Sequence, residues 1–279
     1  MNQTTAPVLQ KERIDILDSI RGVAVLGILL MNIPSMGYSV IGRDPFVLNE
    51  TGLNYDIWFF NDWLVDGTQR GLFSLLFGAG ILLFINSKSK LESPVSPTDY
   101  FFRRQLWLIL FGLVNIYVFL WHGDILFDYG VCGLFMFAFR VWEPRKLLAG
   151  AAVCFILMLA RENRDLYLDK KLISQGEAIE KLDTTTTKLT VIQKDVLEDM
   201  QAFRNRTKTE NRIQRVERAN TYMRDSYAHV YEFSVNRYLS NFFGYSYFGI
   251  WDVLLFMFIG MAFFKMGILT GADHTGSTP

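Results

Sequence analysis

Long runs without charge constrain this chain more than any other feature of its sequence. Gly22–Val40 and Gln105–Gly123 each contain 19 residues without Asp, Glu, Lys or Arg, and Gly71–Ser87 contains 17. A helix needs about 20 apolar residues to cross the hydrocarbon core of a bilayer. The three runs therefore predict membrane-spanning helices, with the lipid bilayer as a partner.

Three further segments have the same character. Ile125–Phe139 is apolar apart from Asp128, Leu147–Ala160 contains 14 uncharged residues, and Phe242–Phe264 contains 23 residues interrupted only by Asp252. Leu147–Ala160 is short for a span and needs flanking residues or a thin local membrane. Together the six segments predict an all-α fold, a polytopic transmembrane helix bundle with about six spans.

Charge is concentrated in one part of the chain. Arg161–Arg237 holds 28 of the 56 charged residues on 77 of the 279 positions. This contrast separates a membrane body from a water-exposed insert. The predicted divisions are an N-terminal cytoplasmic tail (1–12), a five-span bundle (13–160), a charged extracytoplasmic helical insert (161–240), a sixth span (241–269) and a polar C-terminal tail (270–279).

Basic residues occur in every second connection between the predicted spans, and short cytoplasmic loops accumulate Lys and Arg. Both termini are therefore expected in the cytoplasm, the insert outside it, and the protein in a cell inner membrane. The connection 43–70 is rich in acids, as an outer connection permits. The basic positions are Lys11, Arg13, Lys88, Lys90, Arg103, Arg104, Arg140, Arg145, Lys146 and Lys265.

Apolar residues in the insert alternate at spacings of three and four. This seam runs from Leu172 to Phe203 and resumes from Ile213 to Val230, after the polar stretch Asn205–Arg212. It predicts helices that fold back as a hairpin, and an intersubunit coiled coil that forms a homo-oligomer fits the same pattern. Acids are interleaved with the basic residues and the formal net charge is zero, so we expect no nucleic-acid partner.

Ionisable residues near a span are costly in lipid and are therefore candidates for function. Asp15, Asp18 and Arg21 follow one another at intervals of three where the first span begins; a capped helix end with a snorkelling arginine explains the same spacing. Asn32 and Pro34 farther along this span predict either a polar notch or a kink.

At the predicted outer boundary, His122 and Asp124 form a second candidate, because an imidazole beside a carboxylate can act as acid or base near neutral pH. A hydrated turn with the interfacial Trp121 is the alternative. Asp128 follows Asp124 by one helical turn. The sequence contains no HExxH motif, paired CxxC motif or Walker loop, so no metal site and no bound cofactor are predicted.

Four segments in this order resemble the YeiB-like family of bacterial multi-spanning membrane proteins. They are RIDILDSIRGVAVLGILLMNI (13–33), LFSLLFGAG (72–80), RRQLWLILFG (103–112) and GDILFDYGVCGL (123–134), and SYAHVYEFSVNRY (226–238) and FIGMAFFKMGIL (258–269) resemble later parts of the family. The family is similar to transmembrane acyltransferases, among them the lysosomal enzyme that acetylates heparan glucosamine. The resemblance implies transfer of an acyl group from a cytoplasmic acyl-CoA-type thioester to an envelope acceptor.

Carried over by position, the resemblance gives Arg21 of the LDxxRG-like segment a role in placing an anionic or carbonyl group. It identifies Arg103 and Arg104 as the cytoplasmic pair and Asp124 as the GDIL aspartate. The chain departs from the family at Asn115, where members carry a histidine in the third helix. Members also continue through further spans, so the resemblance implies a truncated or divergent member.

Three functions stay open at this point: a membrane acyltransferase, a transporter or permease with Asn32, Asp128 and Asp252 on its path, and a noncatalytic anchor that presents the insert for assembly. For the enzyme, the candidate catalytic residues are His122 and Asp124, which would deprotonate the acceptor. The candidate substrate-binding residues are Asp18, Arg21, Asn32, Arg103, Arg104, Asn115 and Asp128.

Overall fold

The computed structural model describes residues 15–37, 51–65, 67–89, 95–121, 123–182 and 188–269, and within these ranges the regular elements are helices without strands. The all-α class is therefore confirmed. The helices are α1 (Asp15–Gly37), α2 (Leu53–Phe60, followed by a π-helical turn at Asn61–Val65), α3 (Thr68–Ser89), α4 (Pro97–Tyr117), α5 (Leu126–Phe137), α6 (Pro144–Glu180), α7 (Val191–Thr207), α8 (Thr209–Met223) and α9 (Tyr227–Lys265).

Local sequence signals set several of the helix starts. The hydroxyl of Ser96 accepts a hydrogen bond from the backbone N–H of Asp99, and Pro97 occupies the first turn of α4, where its missing N–H is harmless. Thr190 and Gln193 form a reciprocal capping box at the start of α7. These caps supply partners for backbone N–H groups that the first helical turn leaves unpaired.

The first helix predicted for the insert is divided. α6 ends at Glu180 and α7 begins at Val191, while the β-branched run Thr184–Thr187 lies outside the described residues. The capping box at Thr190 gives the physical reason for a new start. A second junction falls at Lys208, whose extended ψ of 136° separates α7 from α8 within the polar stretch where the sequence predicts a break.

The described residues fall into two compact units. In the first, which contains residues 15–33, 59–155 and 231–269 of the described chain, glycines allow close helix contacts. A Cβ at Gly78 of α3 would overlap the backbone of Met257 in α9, and one at Gly260 of α9 would overlap the backbone oxygen of Leu75. Small residues permit such approach between membrane helices.

A glycine also sets the contact between α4 and α5 in this unit: a Cβ at Gly112 would overlap the backbone of Phe127. The core around these contacts is built largely of aromatic and sulfur-containing side chains. Its fully buried members include Phe101, Tyr129, Cys132, Met136, Met257 and Met261.

The second unit contains the described residues of 34–58 and 156–230. In it, the end of α6 packs against α7. Met200 is fully buried and contacts Gly176, and the Nη1 atom of Arg204 donates to Glu180 at 2.9 Å. The two contacts join α6 and α7 within one chain, and both join residues 24 positions apart, so they do not show the antiparallel register of the predicted hairpin.

Among the described residues, the helical stretch Leu53–Ser87 is long and apolar enough to cross a membrane, and α5 is a shorter apolar helix. The 12 residues of α5 rise only about 18 Å, against a hydrocarbon core of about 30 Å. The count of six spans stays a prediction, as do the inner-membrane location and the orientation of the termini.

Several helices carry many solvent-exposed apolar side chains. On α1, Val25 and Leu26 are more than half exposed, and on α4 the same holds for Trp107 and Phe111. Water-exposed protein surfaces rarely carry contiguous apolar patches of this kind unless another apolar phase or a partner covers them. The further exposed apolar residues of these two helices are Val23, Leu29, Leu30, Ile33, Met36, Phe102, Leu106, Leu110 and Leu113.

Candidate functional site

Two arginines from different helices converge on one face of α3. The Nη2 atom of Arg21, from α1, lies 3.4 Å from the position of a Cβ on Gly80. The guanidinium of Arg104, from α4, lies over the rings of Phe77 and Phe84 at 5.4 and 5.5 Å from their centroids. Residues 77, 80 and 84 share a helix face, so the two cations meet there. We call Arg21 and Arg104 the cationic pair.

The electrostatics of the cationic pair favour an anion. Arg104 lies just before the uncharged run 105–123 and is exposed. Partial desolvation and, second to it, the positive charge of Arg21 lower its pKa. Asp18 balances part of the charge, because its Oδ1 lies 3.0 Å from Nη1 of Arg21. Arg103 projects about 100° away from Arg104 around α4. The structure thus brings together Asp18, Arg21 and Arg104 from the predicted set.

A second group of polar residues lies at the other end of α3. Arg70 forms an ion pair with Asp252 of α9. One turn later, the hydroxyl of Ser74 donates to the Arg70 carbonyl at 2.8 Å. The same hydroxyl is hydrogen-bonded to the hydroxyl of Tyr129, a residue that is 2% exposed. Asp128 precedes Tyr129 on α5 and interacts electrostatically with Arg70. We call these five residues the outer polar cluster.

Asp124 and Asn115, predicted separately, are hydrogen-bonded to each other. Nδ2 of Asn115 donates to Oδ1 of Asp124 at 2.9 Å. The other carboxylate oxygen, Oδ2, accepts from the backbone N–H groups of Leu126 and Phe127 at 2.9 and 3.3 Å. Asp124 therefore caps the start of α5 and ties it to α4, and Asn115 holds the carboxylate in place.

These bonds predict a stability effect at Asp124. Replacement by Ala removes the cap and the bond to Asn115, and we expect a loss of about 1–2 kcal/mol in unfolding free energy. Asp124→Asn keeps a carbonyl oxygen that can accept from the backbone, so its loss should be smaller. Denaturant unfolding of purified protein in micelles measures both, and equal stability of Asp124→Ala and wild type would contradict the capping role.

The remaining predicted residues are not brought to the cationic pair. Asn32 lies in α1, about 16 Å along the helix axis from Arg21. His122 lies outside the described residues, so its predicted role stays a prediction. No group of three or more His, Cys, Asp or Glu side chains within the described ranges is placed to hold a metal ion.

Sequence reasoning missed four polar residues of these helices: Arg70, Ser74, Gln105 and Tyr129. A signal existed for Arg70, because a lone acid such as Asp252 in an apolar segment requires a basic partner. Ser74, Gln105 and Tyr129 each resemble ordinary members of an apolar helix. Only the tertiary structure shows that they are buried.

The chain is similar in sequence to several bacterial proteins. Over 157 residues, 54% of this chain, it is 30% identical to the protein of Bacillus subtilis (strain 168) named uncharacterized protein YxaH, of which the match covers 38%. It is 34% identical, also over 157 residues, to an uncharacterized 39.9 kDa protein of Bacillus acidopullulyticus, of which the match covers 40%.

A third relative carries the name of the family that the motifs resemble. Uncharacterized protein YeiB of Escherichia coli (strain K12) is 33% identical over 136 residues, 44% of this chain and 30% of the relative. The chain thus matches two fifths or less of the length of these curated relatives. No family model and no solved structure matches it. The relatives support the resemblance to YeiB-like proteins.

Proposed function

We propose that this chain is a multi-spanning membrane protein of the YeiB-like family that transfers an acyl group from a cytoplasmic thioester to an acceptor on the opposite side. The observation that carries the proposal is the convergence of Arg21 and Arg104 beside Gly80. Two guanidinium groups held by separate helices bind phosphate oxygens through strong, charge-assisted hydrogen bonds. An acyl-CoA-type donor carries phosphates of this kind.

The exposed apolar faces of α1 and α4 support the membrane part of the proposal. These faces meet hydrocarbon favourably, whereas water penalises them. The apolar stretch Leu53–Ser87 is long enough to cross the bilayer. With the orientation predicted from the basic connections, the cationic pair lies at the cytoplasmic side and the outer polar cluster at the opposite side.

The separation of the two groups along α3 fits a donor with a long arm. Arg70 and Gly80 are ten residues apart, which corresponds to about 15 Å along the helix axis. A thioester at the end of an extended arm would then lie far from its phosphates and near the acceptor. The phosphates would thus stay at the cationic pair while the thioester reaches the acceptor on the other side.

In the proposed reaction the acceptor is a hydroxyl or amine, and His122 or Asp124 takes its proton. The acceptor oxygen or nitrogen forms a bond to the thioester carbonyl carbon, the C–S bond breaks, and the thiolate leaves and takes up a proton. A base within hydrogen-bond reach contributes about 10²-fold to 10⁴-fold to such a step. Asn115 positions Asp124 through its hydrogen bond.

Binding of acetyl-CoA to purified protein in detergent, measured by calorimetry, tests the donor site. We expect micromolar binding that weakens about 10-fold to 100-fold in Arg21→Ala and in Arg104→Ala, because each loses a charge-assisted contact. Arg145→Ala is the matched control, since it removes one exposed arginine charge from α6 and is not among the predicted binding residues. Its affinity should stay within about threefold of the wild type.

Absence of acetyl-CoA binding in the wild type, or equal weakening in all three variants, would contradict the donor site. Solute flux that depends on pH and on Asp128, without an acylated product, would then favour a transporter. Loss of assembly after deletion of residues 172–230 would favour the noncatalytic anchor.

A further inference from the structure

A fully buried glutamine at the start of the uncharged part of α4 has no hydrogen-bond partner for either polar atom. Nε2 and Oε1 of Gln105 are buried and unpaired among the described residues. An amide in this state costs folding free energy, because it has lost its bonds to water without replacement. A side chain such as Met would fill a similar volume without this penalty.

The surroundings of Gln105 make room for its amide. Oε1 lies only 2.5 Å from the position that a Cβ on Gly133 of α5 would take. The ring of Phe77 lies 3.2 Å from that position. Any larger residue at position 133 would displace the glutamine. The chain therefore combines a glycine on one helix with an unpaired amide on the next.

The position of Gln105 lies between the two polar groups of α3. Phe77, which neighbours it, carries the Arg104 guanidinium over its ring and packs edge-on against Tyr129 with centroids 5.3 Å apart. Arg104 belongs to the cationic pair and Tyr129 to the outer polar cluster. Through Phe77, Gln105 thus adjoins a ring that contacts both groups.

We infer that Gln105 binds an amide of the donor's arm, an inference that rests on the proposed function. The amide of Gln105 has N–H donors and a carbonyl acceptor, so it can pair with either the carbonyl or the N–H of a secondary amide, which point in opposite directions in the trans form. The pantetheine arm of a CoA thioester contains such secondary amides between its phosphates and its sulfur. Gln105 therefore distinguishes a pantetheine-bearing donor from other phosphate-bearing molecules.

Two probes separate arm binding from phosphate binding: acetyl-CoA, and adenosine 3′,5′-bisphosphate, which carries phosphates without the arm. In Gln105→Met we expect acetyl-CoA to bind about tenfold more weakly, from the loss of one hydrogen bond to the arm. The bisphosphate should bind within about twofold of the wild type. Thermal stability should be equal or higher, because the unpaired amide is gone.

Gln69→Met is the matched control, since Gln69 also carries a buried, unpaired Oε1 but lies against Gly27 of α1. This variant should bind both probes as the wild type does. Equal acetyl-CoA affinity in Gln105→Met would overturn the inference, as would parallel weakening of both probes or a fall in thermal stability. If the wild type binds neither probe, the donor site fails and the inference fails with it.

Discussion

Replacing Gly260 with alanine is expected to destabilise the protein by about 1–3 kcal/mol or more, since a Cβ there would overlap the backbone oxygen of Leu75. Backbone atoms of α3 cannot rotate aside as a flexible side chain would, so the two helices must separate. Gly78→Ala should act in the same way from the opposite side of the contact, where Met257 is overlapped.

Gly249→Ala on the same helix, α9, provides the control. A Cβ there meets nothing within 4 Å among the described residues, and alanine favours a helix over glycine by up to about 1 kcal/mol. Thermal unfolding in micelles compares the three variants. Equal melting temperatures for Gly260→Ala and Gly249→Ala would show that α3 and α9 do not meet at this glycine.

Under the proposed membrane location, which puts this end of α3 at the bilayer boundary, Asp252→Asn is expected to lower the unfolding free energy by about 3 kcal/mol, because Arg70 keeps its charge and loses its carboxylate partner. The double variant Arg70→Met with Asp252→Leu removes both charges and should recover most of the loss. Unfolding in micelles or bicelles measures the single and double variants, and their difference gives the coupling between the two side chains.

An ion pair of the insert serves as the comparison for this effect. The side chains of Arg70 and Arg204 are similarly exposed, at 42% and 40%, whereas Asp252 is 21% exposed and Glu180, the partner of Arg204, is 39% exposed. In water, a pair of this exposure contributes only about 0–1 kcal/mol, so Glu180→Gln should have a small effect. An equally small effect of Asp252→Asn would place Arg70 in water and contradict a membrane location for this end of α3.

Much of the helical framework was predictable from local patterns. The uncharged runs 22–40, 71–87 and 105–123 lie largely in α1, α3 and α4, because apolar runs of this length are longer than typical strands and favour helices. The break inside the insert was less predictable. Heptad spacing continues through 172–203, and the cap at Thr190 that starts α7 acts only when a preceding helix has ended.

The candidate site could be predicted only in part. Arg21, Arg104 and Asp124 were recognisable because charged residues are rare beside apolar runs and match a family motif. The way these residues group together in space was not predictable. Spacing of i+3 and i+4 identifies neighbours on one helix, but it does not show which other helix packs against them. Asn115 and Asp124, nine residues apart, meet only after α4 ends and the chain turns into α5.

The sequence by itself determined the helical class and the partition between apolar and charged segments, since both follow from the local balance of apolar and charged side chains. The tertiary structure alone decided which helices touch and which polar groups are buried. Gly260 faces Leu75, Arg104 faces Phe77, and Gln105 is enclosed beside Gly133. These contacts join residues far apart in the chain, and helix packing sets them through the few positions where a missing Cβ lets two backbones approach.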